Sequence, residues 1–165
     1  MNRTHRRTSD LGLGLLACSI LHGVAAHAQQ YTLTELGTLG GTTSAAFGIN
    51  NAGQVVGYAT TAGDLAEHAT LWNGPTATDL GTLGGSNSIA YGINNAGQVV
   101  GGAATAGDAA NHATLWDGTT ATDLGTLPGA LNSLATGINR VGQVVGFSDT
   151  GGYKSPSHAT LCPDR

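Results

Sequence analysis

The sequence predicts an all-β domain built from three repeats of about 44 residues, each with four short strands. Three motifs recur in a fixed order: Leu-Gly-Thr-Leu, Gly-Ile-Asn-x-x-Gly-Gln-Val-Val-Gly and His-Ala-Thr-Leu. The histidines that open the last motif, His68, His112 and His158, are 44 and 46 residues apart. A fixed period of this size indicates one supersecondary unit stacked on copies of itself. We place the repeats at about 40–83, 84–127 and 128–162.

The second repeat illustrates the four predicted strands. Ile89–Asn94 and Gln98–Ala103 are apolar segments joined by Asn-Ala-Gly, a tight-turn sequence, so they predict a hairpin. His112–Trp116 predicts the third strand, which ends at a turn signal, Asp-Gly. Ala121–Leu127 predicts the fourth strand. No apolar spacing of helical period extends beyond a single turn.

Four short strands in about 44 residues are the size of a β-propeller blade, and a three-fold β-trefoil-like ring is the alternative. Tyr31–Leu39 has the sequence of a fourth strand, whereas His158–Cys162 has the sequence of a third strand. The first segment is therefore predicted to complete the last repeat, because such an exchange closes ring-shaped folds. A closed three-fold ring, a three-blade half that dimerises and a truncated open array all fit the sequence.

Residues that recur in every repeat are interpreted first as requirements of the repeated unit. Glycine inside strands suggests a bulge, a close approach of two backbones, or a taper where sheets crowd an axis, rather than a ligand-binding loop. The recurring residues interpreted as structural are Gly48, Asn50, Gly53, Gly57, His68, Trp72, Gly92, Asn94, Gly97, Gly101, His112, Trp116, Gly137, Asn139, Gly142, Gly146 and His158.

The N-terminus predicts export. Residues 1–28 combine an arginine-rich start, a short apolar stretch at Leu11–Ile20 and the small-residue cleavage pattern Ala26-His27-Ala28. We expect a signal peptide cleaved after Ala28, followed by a single repeat domain over 29–165. The alternative is a lipoprotein signal that would anchor the chain at Cys18.

The predicted mature chain is acidic. It has three Lys and Arg against nine Asp and Glu, a formal net charge of −6. With so few cations, neither nucleic acid nor an anionic membrane surface is an expected partner. One cysteine remains, Cys162, at the position that Trp72 and Trp116 occupy in the other repeats; it is interpreted as a packing residue or an intermolecular link.

These three motifs, over Leu36–Leu161, resemble the HAF-repeat proteins, a group of predicted extracellular bacterial proteins. The family is named for His-Ala-Phe, and this chain has Thr at the third position. Its last repeat departs furthest, with Pro128, Arg140-Val141 and Cys162-Pro163 replacing the usual residues. The resemblance implies an exported repeat protein and implies no particular activity.

The candidate chemical sites are few. His68, His112 and His158 would form a three-histidine metal site only if a ring brought them together. We therefore interpret each as a residue that begins a strand and hydrogen-bonds neighbouring backbone or an Asn. Asp64, Asp108 and the offset Asp149 are interpreted as turn residues rather than calcium ligands, since each loop has a single acid. No catalytic residue and no cofactor is predicted.

Two functions remain. The first is a secreted non-enzymatic module with a binding or structural role at or outside the cell envelope. Its glycan or protein partner would be bound by the variable loops 60–67, 105–111 and 148–157, and self-association is a further expectation. The alternative is an exported hydrolase with a propeller-like pocket, for which one repeat should carry a cluster of acids, His or Ser. The asymmetric segment Tyr153–Pro156 offers little such chemistry.

Overall fold

The structure is a computed structural model that describes residues 32–149 and 157–162. The predicted signal peptide, Cys18 and the segment Tyr153–Pro156 lie outside the described residues. The described part is all-β, as predicted. Its strands are β1 (Gly40–Ile49), β2 (Val55–Thr61), β3 (Glu67–Asn73), β4 (Thr76–Asp79), β5 (Gly84–Ile93), β6 (Val99–Thr105), β7 (Asn111–Asp117), β8 (Thr120–Asp123), β9 (Asn132–Ile138), β10 (Val144–Asp149) and β11 (Ser157–Cys162).

The strands form three antiparallel sheets that follow the repeats. Sheet 1 has the order β1-β2-β3-β4, sheet 2 has β5-β6-β7-β8, and sheet 3 has β9-β10-β11. The only helical elements within the described ranges are two 3-10 turns, Ala62–Asp64 and Ala106–Asp108, and no helix there is long and apolar enough to cross a membrane. These residues form neither a closed barrel nor a closed ring.

An asparagine at the end of the first strand shapes the first hairpin of each repeat. The side-chain oxygen of Asn50 accepts hydrogen bonds from the backbone N–H groups of Ala52 and Gln54, at 3.0 Å each. Gly53 follows with a φ of +76°, a conformation that glycine adopts without steric cost. Asn94 and Asn139 form the same turn in the other repeats, which explains why Asn-x-x-Gly recurs.

A bulge in the first strand explains the glycine after Val-Val. In sheet 1, Ala46 pairs with Gly57 and Gly48 pairs with Val56, so Phe47 is the extra residue. A Cβ atom at Gly57 would overlap the carbonyl oxygen of Ala45, so no other residue fits there without moving the backbone. Equivalent bulges occur opposite Gly101 and Gly146.

The fourth strand is shorter than predicted, because the chain turns at Leu-Gly-Thr-Leu instead of continuing as a strand. β4 ends at Asp79, whose carboxylate accepts the N–H of Gly81 at 2.7 Å. Leu80 still donates its N–H to the carbonyl of Ala69 in β3, at 2.9 Å, and its side chain is buried. The motif is therefore a connector that leaves one sheet and packs beneath the next.

The first strand of each following sheet packs against the sheet before it. β5 lies against β1, β2 and β3, and β9 lies against β5, β6 and β7. Small residues allow the close approach. A Cβ atom at Gly48 would lie 3.0 Å from the carbonyl oxygen of Tyr91 and 3.5 Å from the Cα of Gly92. Gly92 has the same relation to Gly137. A larger residue in this column would separate the sheets.

Two hydrogen-bonded features join the sheets. The buried hydroxyl of Ser88 accepts the N–H of Ala69 in sheet 1 at 2.8 Å and donates to the carbonyl of Gly81 in the connector at 2.7 Å. Ser133 makes the same bridge between Ala113 and Gly125. We call this arrangement the serine bridge.

The second feature is a ladder of asparagine side chains. The amide nitrogen of Asn50 donates to the carbonyl of Asn94 at 3.1 Å, and that of Asn94 donates to the carbonyl of Asn139 at 3.2 Å. The recurring asparagine therefore shapes its own hairpin and also holds the next sheet in register.

The N-terminal segment does not complete the last sheet. Of its described part, residues 32–39, only Leu39 forms a bridge, and that bridge is to Thr61 of sheet 1. Sheet 3 has three strands among the described residues rather than the predicted four, with β11 at its edge. The fourth strand of a repeat is held by β3 or β7, and residues 34–36 have no such strand beside them here.

The recurring tryptophan packs beneath the preceding connector. Trp72 is buried and donates its indole N–H to the carbonyl of Gly37 at 2.8 Å. In the third repeat, Cys162 and the connector Leu124–Leu127 line a cavity of about 210 Å³. This space corresponds to the one that the indole ring fills in the other repeats. Cys162 is therefore exposed, whereas Trp72 and Trp116 are buried.

The two tryptophans provide a matched test of the indole hydrogen bond. Among the described residues, nothing accepts the buried indole N–H of Trp116. We expect Trp72→Phe to lower the free energy of unfolding by about 1 kcal/mol more than Trp116→Phe, because only Trp72 loses a hydrogen bond. Urea denaturation measures both differences. Equal losses would contradict this assignment.

The cavity beside Cys162 predicts a stabilising substitution. We expect Cys162→Trp to raise the free energy of unfolding by about 1 kcal/mol, because the indole would fill the space beneath Leu124–Leu127. Cys162→Ala, which leaves the cavity open, is the control. Thermal and urea denaturation would measure the gain, and a loss of stability in Cys162→Trp would show that the space is too small.

Candidate functional site

Two of the recurring histidines, His68 and His112, are hydrogen-bonded to an aspartate of their own repeat. His68 Nδ1 lies 2.8 Å from a carboxylate oxygen of Asp79, and His112 has the same distance to Asp123. All four side chains are partly exposed. Asp79 and Asp123 also accept the N–H groups of Gly81 and Gly125, so each pair joins the third strand to the connector.

The three histidines do not converge on a metal site. Over residues 32–149 and 157–162, no group of three His, Cys, Asp or Glu side chains is close enough to hold a metal ion. His158 is exposed on β11, in the third repeat. The geometry of His68 and His112 is that of strand residues with hydrogen-bonded rings, although their partner is an aspartate rather than backbone or Asn.

The loop aspartates Asp64 and Asp108 hold the start of the first strand. Asp64 accepts the N–H of Thr42 at 2.7 Å and its hydroxyl at 2.9 Å, and Asp108 makes the same bonds with Ser86. Both aspartates have a φ of 55°, which Asp tolerates better than most residues. They are turn residues, and each carboxylate is already engaged by protein donors.

Hydrogen bonding to the charged form lowers the pKa of both carboxyl groups. For Asp64 the largest cause is the Thr60 hydroxyl, followed by the N–H and hydroxyl of Thr42. For Asp108 the N–H of Ser86 contributes most and its hydroxyl second. Donors that favour the carboxylate over the acid lower the pKa in this way.

The strongest candidate for a ligand site is a cavity of about 410 Å³ between sheets 2 and 3. This volume is within the range of small-molecule sites. Tyr91 and Phe147 supply aromatic surface. Asn111 and Asp149 belong to the predicted loops 105–111 and 148–157, but in the structure Asn111 begins β7 and Asp149 ends β10. The other lining residues are Asn87, Ser88, Ile89, Gly102, Asn132, Ser133 and Leu134.

The cavity exists because the middle repeat breaks the symmetry. Gly102 occupies the position of Tyr58 in the first repeat and Phe147 in the third, so the aromatic ring is missing there alone. A methyl group of Leu134 reaches into this space, 2.6 Å from where a Cβ of Gly102 would lie. The replacement of an aromatic residue by Gly102 is visible in the sequence, but no site was predicted there from the sequence.

Aromatic rings extend the site toward the first repeat. Phe47 stacks on Tyr91 with ring centroids 5.3 Å apart and an interplanar angle of 24°, and its centroid lies 6.0 Å from that of Tyr58. Phe47 and Tyr91 are the extra residues of their bulges, so the bulge aims successive rings at one another. We call Phe47, Tyr58, Tyr91 and Phe147 the aromatic strip.

The lining of the cavity limits its chemistry. Asn87 accepts the N–H of Glu67, and Asn132 accepts that of Asn111 and donates to Asp149, so these amides also join neighbouring sheets. The described lining includes one carboxylate and no cationic side chain. The arrangement therefore suits an uncharged polar ligand better than an anion.

The lowered pKa of Asp108 predicts a loss of stability in acid. A carboxyl group with a lowered folded-state pKa stabilises the fold fully above its unfolded pKa of about 3.9. That contribution is lost as the pH falls through the folded value. We expect the urea midpoint of the wild type to fall as the pH drops below about 5. Asp108→Asn should fall less, so the two curves should converge in acid.

Asp117→Asn is the matched control, because Asn73 occupies the equivalent position in the first repeat. This variant should retain the wild-type pH profile in the same urea titrations. A wild-type profile for Asp108→Asn would show that the Ser86 hydrogen bonds do not stabilise the carboxylate.

The chain was compared with protein-family models, with curated proteins and with solved structures, and none of the three comparisons finds a match.

Proposed function

We propose that this chain is a secreted, non-enzymatic binding module whose blade-like sheets form a rigid scaffold, and that the cavity at Gly102 is its ligand site. One observation carries the proposal: the middle repeat has Gly102 where the other two repeats have Tyr58 and Phe147, and a cavity opens there. Asn111 and Asp149 line this cavity at the strand ends that border two variable loops in the sequence. A rigid β scaffold that presents loops is a common basis for recognition.

The lining favours a neutral glycan as the ligand. Aromatic faces such as those of Tyr91 and Phe147 can stack on the apolar face of a sugar ring. Asn side chains both donate and accept hydrogen bonds, as sugar hydroxyls require. The absence of cations from the described lining and the net charge of −6 for residues 29–165 disfavour phosphorylated or carboxylated ligands.

Binding is favoured over hydrolysis by the number of carboxylates. Most glycosidases use two carboxyl groups on either side of the scissile bond. Asp149 is the one carboxylate of the described lining, and its oxygen already accepts a hydrogen bond from Asn132 at 3.3 Å. The HAF-repeat resemblance and the predicted signal peptide support a role at or outside the cell envelope, in the bacterial setting that the family implies.

Filling the cavity tests the proposal. We expect the wild type to bind a neutral oligosaccharide from a panel screened by calorimetry. Gly102→Tyr should weaken that binding at least about tenfold, because its ring would occupy the site as Tyr58 does in the first repeat. The double variant Gly102→Tyr/Leu134→Ala gives the new ring room and should bind no better, with its fold checked by circular dichroism.

Glu67→Ala is the control, because Glu67 is the first-repeat equivalent of Asn111 and does not line the cavity. Its binding should equal that of the wild type, whereas Asn111→Ala should bind more weakly. No binding across the panel, or equal binding by Gly102→Tyr, would refute a glycan site here. If the wild type binds a protein instead, and Gly102→Tyr abolishes that binding, the site stands but its ligand is a protein.

A further inference from the structure

The stack of sheets has two exposed ends, and each matches one side of a junction that already occurs twice within the chain. We define the head face by Glu35, Leu36, Ser44, Ala46 and Ile49, on the outer side of sheet 1. We define the tail face by Val145, Ala159 and Leu161, on the outer side of sheet 3, and by His158 on the opposite side of the edge strand β11. The internal junctions join sheets 1 and 2 and sheets 2 and 3.

The tail face exposes apolar residues that the internal junctions bury. Val56 and Val100 are 0% exposed, whereas the equivalent Val145 is 48% exposed. Leu161 is 64% exposed, while Leu71, its first-repeat equivalent, packs against the core. What covers these positions in sheets 1 and 2 is the first strand of the following sheet.

The head face has the complementary exposure. Ile49 is 69% exposed, whereas Ile93 packs against the hydrophobic core and Ala90, the equivalent of Ala46, is fully buried. A cavity of about 440 Å³ opens beside Glu35, Leu36, Ser44 and Ala46. In sheets 2 and 3 the equivalent residues lie against the third strand of the preceding sheet.

The serine bridge is incomplete at the head face. Ser88 and Ser133 each accept an N–H from the preceding sheet and donate to the connector glycine at 2.7 and 2.6 Å. Ser44 has only a longer contact, 3.4 Å, to the carbonyl of Leu36. The backbone N–H that would complete this bridge belongs to a position equivalent to Ala69 and Ala113, which in the third repeat is Ala159.

The charged side chains match in the same register. Asp79 follows Thr78 and precedes Leu80, and Glu35 follows Thr34 and precedes Leu36. Asp79 is the partner of His68, and its backbone pairs with Thr70. The same register would place Glu35 opposite Thr160 and beside His158, where its carboxylate can be hydrogen-bonded as Asp79 is by His68. The two faces are therefore complementary in backbone, apolar surface and side-chain hydrogen bonding.

From this complementarity we propose that the tail face of one molecule binds the head face of a second copy, forming a junction like those inside the chain. Residues 34–36 of the second copy pair with β11, Leu36 is buried as Leu80 is, and Ala159 donates its N–H to Ser44. Such a contact is heterologous, so it closes into a ring or extends as a chain of molecules. The proposal is independent of the ligand site.

Two charged substitutions test the contact by complementation. The purified wild-type chain should associate reversibly in sedimentation-velocity experiments. Ile49→Glu blocks the head face and Leu161→Glu blocks the tail face, and each variant alone should be a monomer. An equimolar mixture should give a dimer and nothing larger, because one intact head face and one intact tail face remain.

Leu65→Glu is the matched control, since Leu65 is an exposed leucine of a loop outside both faces, and this variant should associate as the wild type does. Circular dichroism should be unchanged in all three variants, because the substituted side chains are exposed. Melting temperatures should equal that of the wild type at concentrations where the wild type is monomeric. Glu35→Lys should weaken the association at least about tenfold by placing a cation beside His158.

Three results would overturn the proposal. The first is a wild type that is monomeric at every concentration, which would favour closure within one molecule or an unpaired end. The second is association that persists in either single-face variant, which would require a different surface. The third is a mixture of the two variants that remains monomeric although each is folded.

Discussion

The architecture depends on a serine hydroxyl that binds three segments of chain at once. Ser88 joins the third strand of one sheet, the connector that leaves that sheet and the first strand of the next sheet. An unpaired buried polar group costs about 1–3 kcal/mol, so this buried hydroxyl requires all of its neighbours in place. The connector in turn buries Leu80, a side chain worth about 1.5–3 kcal/mol. The spacing of the repeats follows from this single junction.

Small residues make the junction possible, and they explain the unusual composition. The glycines of the Gly48, Gly92 and Gly137 column let the sheets approach closely, and buried alanines such as Ala90 and Ala69 pack without large side chains. A core of this kind has little apolar volume for each residue. The asparagine ladder and the serine bridges therefore contribute a large share of the specificity, because directional hydrogen bonds fix a register that small apolar residues leave loose.

Much of the fold could be predicted from the sequence, because each turn, bulge and strand motif occurs in three copies that can be compared. The Asn-x-x-Gly turns, the glycines opposite the bulges and the third strands follow from residues that recur. The length of the fourth strand could not be predicted, because Asp79 serves both as the hydrogen-bond partner of His68 and as a turn residue. The burial of the connector also depends on the next sheet. The candidate cavity was missed for the opposite reason: reading for recurrence directs attention away from Gly102, whose meaning lies in its difference from Tyr58 and Phe147.

The same reasoning explains why the ends of the stack differ from its interior. A repeat buries its apolar surface only against neighbours, so repeat arrays need either capping units with polar outer faces or closure. The head face and the tail face both expose large apolar side chains, Ile49 on the head face and Val145 and Leu161 on the tail face, so neither is a polar cap. The third repeat has lost its tryptophan, and β11 is the edge of its sheet among the described residues. An exposed edge strand with apolar flanks is a site for pairing with another chain. Residues 34–36 of the head face have the sequence that pairs with the third strand inside the chain. A second copy can therefore pair with the edge strand β11 through the same contacts that join β4 to β3.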